Sequence, residues 1–145
     1  MDREAVTALV LESKRARGLT FGELAGHLGA DPVWLTAALL GQHPLSPEQA
    51  ARVSELLGLP EEAAAVLTEI PMRGALAVPP QDPTIYRLQE IVQVYGPTIK
   101  ALIHEEFGDG IMSAINFNLG IERVEHPDGD RVKITLEGKY LPYAW

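Results

Sequence analysis

From residue 3 to residue 70 the chain keeps starting a helix and stopping it again, and that rhythm limits the fold more than any other feature. "DPVWLTAALLG" offers Asp31 as N-cap, Pro32 at the first helical position, where the missing N–H is no loss, and Gly41 as the stop. "SPEQAARVSELLG" repeats the pattern with Ser46, Pro47 and Gly58. In "TFGELAGHLG", Thr20 and Glu23 have capping-box spacing and Gly29 ends the run. Before it, residues 3–17 carry Val6, Leu9, Val10 and Leu11, then a basic "KRAR" and Gly18, which suit a helix C-terminus. "PEEAAAVLTEI", residues 60–70, predicts a fifth helix. Helices this short, joined by brief turns, bury their apolar stripes only against one another. Residues 1–70 are therefore expected to form a compact all-α bundle.

The rhythm ends at "PMRGALAVPPQ", residues 71–81, whose prolines and glycine predict a linker. Beyond it Asp82 and Pro83 open a helix in "DPTIYRLQEIVQVYG". Gly96-Pro97 is expected to break that helix and start another over 97–107. The period then changes. Ile115, Phe117, Leu119 and Ile121 alternate as in a half-buried strand, "PDGD" at 127–130 reads as a turn, and Val132, Ile134 and Leu136 return on one face. The fold class expected is mainly α with a small β element, an α+β chain. Two helices and one hairpin are too thin to close a core, so residues 82–145 are expected to complete theirs in an oligomer.

Composition narrows the chemistry. The chain has no cysteine, which excludes disulfides, thiolate catalysis and cysteine-based metal sites. Its acidic start lacks a basic segment before an apolar run, and no stretch reaches the ~18 apolar residues of a membrane span, so a cytoplasmic protein without a membrane partner is expected. The formal charge is −8; residues 1–70 hold five Lys/Arg against ten Asp/Glu, and residues 71–145 seven against ten. Neither half has the positive excess of a nucleic-acid binder.

That balance bears on "FGELAGHLGADPVWL", where Ala25, Gly29 and Leu35 have helix-turn-helix spacing. The would-be recognition helix has no Lys, Arg or Asn to read bases or hold phosphates. The signal describes a helix-turn-helix used as a packing module, with Trp34, Leu39 and Leu40 suited to packing against protein.

The candidate chemistry is sparse. His27, His43, His104 and His126 are scattered, and "HEEF" at 104–107 lacks the second histidine of a zinc motif, so no metal is expected. No G-x-S-x-G, phosphate-loop or dinucleotide fingerprint occurs. Arg87 and Glu90 stand three residues apart, which by spacing alone describes an exposed ion pair of about 0.3–0.5 kcal/mol rather than a site. Ser113, in the glycine-flanked "GDGIMSAIN", by itself reads as a hydroxyl capping a turn or bonding a nearby backbone group before it reads as a site.

"DPTIYRLQEIVQVYGPTIKALIHEEFGDGIMSAINF", followed by "ITLEGKYLP", closely resembles the signature regions of the cyanase (cyanate hydratase, cyanate lyase) family. The resemblance covers most of residues 69–142. It implies an enzyme, with a repressor-like helical domain that does not bind DNA and a C-terminal catalytic domain intertwined with its partner in a dimer, five dimers forming a homodecamer. It implies bicarbonate-dependent decomposition of cyanate, with bicarbonate as co-substrate and no cofactor. The family's catalytic arginine, glutamate and serine are matched at Arg87, Glu90 and Ser113, and the backbone N–H of Ala114 is an added donor for substrate. Leu88 and Gln89 stand where bulkier aromatic residues often occur in the family, and the chain ends on an untypical Trp145. The alternative from another class is a helix-turn-helix transcriptional regulator with an anion-sensing C-terminal domain. Its mark would be a basic face on the second helix of the pair.

Overall fold

The computed structural model describes residues 1–73 and 81–144. The predicted linker falls largely on residues 74–80, outside the described residues, as does Trp145. The chain divides into two compact units, Met1–Leu76 and Ala77–Trp145.

The first unit holds α1 (Arg3–Ala16), α2 (Phe21–Leu28), α3 (Pro32–Leu39), α4 (Pro47–Leu57) and α5 (Glu61–Thr68). Four of these starts have a side-chain cap. Asp2 and Asp31 side chains accept from the N–H groups of Ala5 and Trp34, both at 2.8 Å. Thr20 and Glu23 form a reciprocal capping box, and so do Ser46 and Gln49. The stops at Gly29 and Gly58 need glycine because their φ angles, 61° and 62°, are left-handed.

All five helices feed one core, in which Val6, Val10, Leu24, Leu35, Leu39, Val53, Leu57 and Leu67 are fully buried. At about 1.5–3 kcal/mol for each such side chain, these residues dominate the unit's stability. One polar device crosses the core's edge. The Arg3 guanidinium donates to the carbonyls of Val66 (2.7 Å), Ala38 (2.9 Å) and His43 (2.8 Å), tying the start of α1 to the ends of α3 and α5. Burial holds its pKa below the usual arginine value, partly offset by Glu69.

The second unit holds α6 (Pro83–Phe107), β1 (Gly110–Val124) and β2 (Arg131–Pro142). Here the expected break at Gly96-Pro97 is corrected: α6 is one helix of 25 residues with Pro97 inside it. Proline restricts the preceding residue chiefly through a clash with that residue's backbone and Cβ. Gly96 has no Cβ, so it enters the helical region more easily than another residue would. The carbonyl of the exposed Gln93, deprived of its partner, can turn to water. No residue of α6 is buried. Leu88, Val92, Tyr95, Ile99 and Leu102 recur at alternating steps of four and three, and all are between 42% and 65% exposed. That spacing is the seam of a helix packed lengthwise against another. Among the described residues, no helix is long and apolar enough to cross a membrane.

β1 and β2 form an antiparallel hairpin, with Gly129 (φ 113°) in its turn. Ile111 pairs with Leu141 and Met112 with Tyr140; Leu119 then pairs with Leu136 and Ile121 with Ile134. Between these stretches the register shifts, from Met112 opposite Tyr140 to Phe117 opposite Gly138. Four residues, Ser113 to Asn116, therefore face Lys139 alone. The simple alternation expected from Ile115 onward is corrected by this bulge. Ile115 lies within it, outside the paired register and 86% exposed.

Candidate active site

Asp82 fixes the start of α6 by accepting from the Ile85 N–H at 2.9 Å, and Arg87 and Glu90 follow on the next turns. Their side chains meet as the spacing requires, Arg87 Nη1 to Glu90 Oε2 at 3.6 Å. The Arg87 guanidinium carbon also lies 5.6 Å from the centre of the Tyr86 ring. These residues line an open depression of about 610 Å³ with Ile91, Val94 and Tyr95. All six belong to one helix, so within one chain the depression has a floor and no opposite wall. At 68% and 51% side-chain exposure the ion pair is weakly stabilising, since water screens it.

Ser113 lies in a different setting. It is 7% exposed and opens the bulge in β1. Its Oγ accepts hydrogen bonds from the N–H groups of Ile115 (3.1 Å) and Asn116 (3.0 Å). The hydroxyl therefore does hold a local turn, one of the two readings its sequence context allowed. Those two bonds occupy the oxygen's acceptor positions and leave its own proton to donate. A hydroxyl that accepts two hydrogen bonds is also polarised into a stronger donor. Ala114, exposed, is the next residue of the same bulge.

The structure thus brings Arg87 to Glu90 and Ser113 to Ala114, without joining the pairs in one chain. Among the described residues no hydrogen bond or ion pair links Ser113 to Arg87 or Glu90. The hairpin is fastened to the far end of α6, where His104 Nε2 lies 3.0 Å from the Gly110 carbonyl and His104 Nδ1 lies 3.3 Å from Asp109. Arg87 stands 17 residues before His104, about 25 Å along the helix axis. Phe107 stacks on Tyr140 at the same corner, with ring centres 5.3 Å apart. In the sequence His104 is only one of four scattered histidines, and nothing in that reading points to this joint. Its signal was the "HEEFGDG" segment, where a histidine precedes a glycine-bounded turn by the right distance to bond back to it. Among the described residues, no group of three or more His, Cys, Asp or Glu side chains could hold a metal ion.

Together the fold and these residues define a class: a bipartite α+β protein with a repressor-like bundle that lacks a basic recognition helix, followed by a helix and hairpin carrying an arginine–glutamate pair and a bulge serine. Residues 3–71 match the family "Cyanate hydratase, N-terminal", and residues 77–145 match "Cyanate lyase C-terminal domain". The chain is 57% identical over 146 residues to the cyanate hydratase of Mycolicibacterium vanbaalenii, covering 100% of this chain and 95% of that protein. It is 55% identical to the cyanate hydratase of Pseudomonas savastanoi pv. phaseolicola, covering 97% and 92%. The crystal structure of cyanase from T. urticae superposes with a TM-score of 0.81 at 40% identity, over 94% of this chain and 96% of that one. The chain belongs to the cyanate hydratase (cyanate lyase) family. Membership across both units disfavours the regulator alternative.

Proposed function

We propose that this protein is a cyanate hydratase of the cytoplasm that decomposes cyanate with bicarbonate as co-substrate and no cofactor. Bicarbonate adds to the cyanate carbon; with one proton, the adduct releases CO2 and leaves carbamate. Carbamate takes up a second proton and gives ammonia and another CO2. The observation that carries the proposal is the match of the whole chain, both units, to proteins named cyanate hydratase.

The residue types suit the chemistry. Both substrates are anions, and at ~4 Å they repel by about 4 kcal/mol at an effective dielectric near 20. Arg87 supplies the opposing charge and a planar fork of donors for small oxyanions. Ser113 Oγ, with its acceptor positions occupied, donates its proton to oxygen charge on the adduct, beside the Ala114 N–H. Glu90 orients the arginine; its 3.6 Å approach to Nη1 supports that role over repulsive contact with substrate.

A complete site then requires more than one chain. The separation of Arg87 from Ser113, the one-walled depression and the uncovered seam on α6 all support a homo-oligomer. We take it to be a decamer of five dimers whose second units bring Arg87 of one chain to Ser113 of another.

Ammonia release from cyanate by the purified protein, with and without added bicarbonate, tests the proposal. Bicarbonate-dependent release is expected. No release from an assembled, folded protein would refute it. Glu90→Gln separates the roles of the carboxylate: an orienting residue keeps a measurable rate with a raised KM, whereas an obligatory proton carrier loses kcat with KM unchanged.

A further inference from the structure

We infer, resting on the role proposed for Ser113 above, that Gly138 is a positioning residue for that serine. In the bulge four residues of β1 face one residue of β2, and where it closes the two strands approach closely. They do so at Gly138. A Cβ on Gly138 would run into the backbone carbonyl oxygen of Ser113 and Cγ of Met112, and would come within 3.3 Å of Met112 Sδ. The φ of Gly138 is not positive, so the glycine serves space and not backbone conformation. The Met112 side chain can swing aside. The Ser113 carbonyl is main chain, and moving it moves the whole bulge that aims Oγ. Gly120 is the contrasting case on the same hairpin. A Cβ there would meet only Thr135 Cβ, at 3.8 Å, an ordinary contact.

The test is a double-mutant cycle on the full-length assembled protein, read as bicarbonate-dependent ammonia release. Gly138→Ala is expected to lower kcat/KM by about 10²-fold, the scale of losing one donor to developing charge, with assembly unchanged. Gly120→Ala is expected to stay within about twofold of the parent. Once Ser113→Ala has removed the hydroxyl, adding Gly138→Ala should lower activity by no more than about threefold further, because contacting or coupled residues are non-additive. Full activity in Gly138→Ala, or independent multiplication of the two losses, would overturn the inference.

If Gly138→Ala alone does not assemble, Met112→Ala/Gly138→Ala removes two of the three obstructing atoms and takes its place, with Met112→Ala as reference. Failure of that variant to assemble also overturns the inference, since Gly138 would then serve the hairpin as a whole. An inactive parent protein sinks the proposed function and this inference together. An active parent with an unaffected Gly138→Ala sinks this inference alone.

Discussion

The two units are of similar length, yet they differ in what they bury. In the first, the hydrophobic core runs from Val6 to Leu67 and draws on all five helices. In the second, α6 has no buried residue, and in the hairpin only Gly110 and Ser113 are buried. Large apolar side chains such as Val92, Leu102 and Val132 stand 65%, 59% and 76% exposed. Apolar patches of this kind mark association surfaces, which agrees with the homo-oligomer proposed above. The first unit closes a core on its own contacts, while the second leaves its apolar faces uncovered, as the proposed homo-oligomer requires. On that proposal, chemistry placed on the second unit is tied to assembly in a way that nothing in the first unit is.

The comparison breaks most completely if the seam on α6 is dispensable. Val92→Lys with Ile99→Lys, one heptad apart, is expected to dissociate the oligomer and reduce ammonia release to background. Size-exclusion chromatography with activity checks this, while circular dichroism should show α1–α5 retained. An intact, active oligomer would mean that the seam is simply exposed helix. Next in size, Arg87→Ala is expected to lower kcat/KM by about 10³-fold or more, at the upper end of losing a group that opposes developing charge, without altering assembly. If the loss is within tenfold, Arg87 and Glu90 are only a surface pair.

In the first unit the expected pattern reverses. Leu39→Ala deletes a fully buried side chain and should destabilise by about 2–5 kcal/mol in thermal or urea unfolding. The rate per assembled protein should stay near the parent value below the melting range. The smallest effect is at the start of α2, where Thr20→Ala should remove about 1 kcal/mol. Its pH dependence has a definite sign. The Thr20 backbone N–H, then its hydroxyl, hold the Glu23 carboxyl below its ordinary pKa. A depressed carboxylate contributes stability above its unfolded pKa and loses it as pH falls through the folded value. Thr20→Ala removes the hydroxyl and keeps the backbone N–H. It should therefore flatten only part of the acid limb of the stability curve, where pH falls from the ordinary carboxylate range through the folded value.

Much of the fold was legible because it is written in short-range terms. Thr20, Asp31 and Ser46 each bond a backbone N–H three residues on, so their helix starts depend on neighbours alone. The PDGD turn and the sign of the charge were local in the same sense. Arg87 and Glu90 were legible as a touching pair because three residues along a helix place side chains on adjacent turns. Their possible importance came only through resemblance.

By itself, then, the sequence determined the caps, the hairpin turn, the acidic surface and the poor fit to DNA, since each follows from residue type and spacing of a few positions. Only the tertiary structure decided that Arg3 closes the helix ends of the bundle and that Ser113 opens a bulge. The physical reason is distance along the chain. Arg3 reaches carbonyls 35 to 63 residues away, and the Ser113 bulge closes against Gly138 on the partner strand. No periodicity over a few residues carries information about a contact that a different part of the chain must complete.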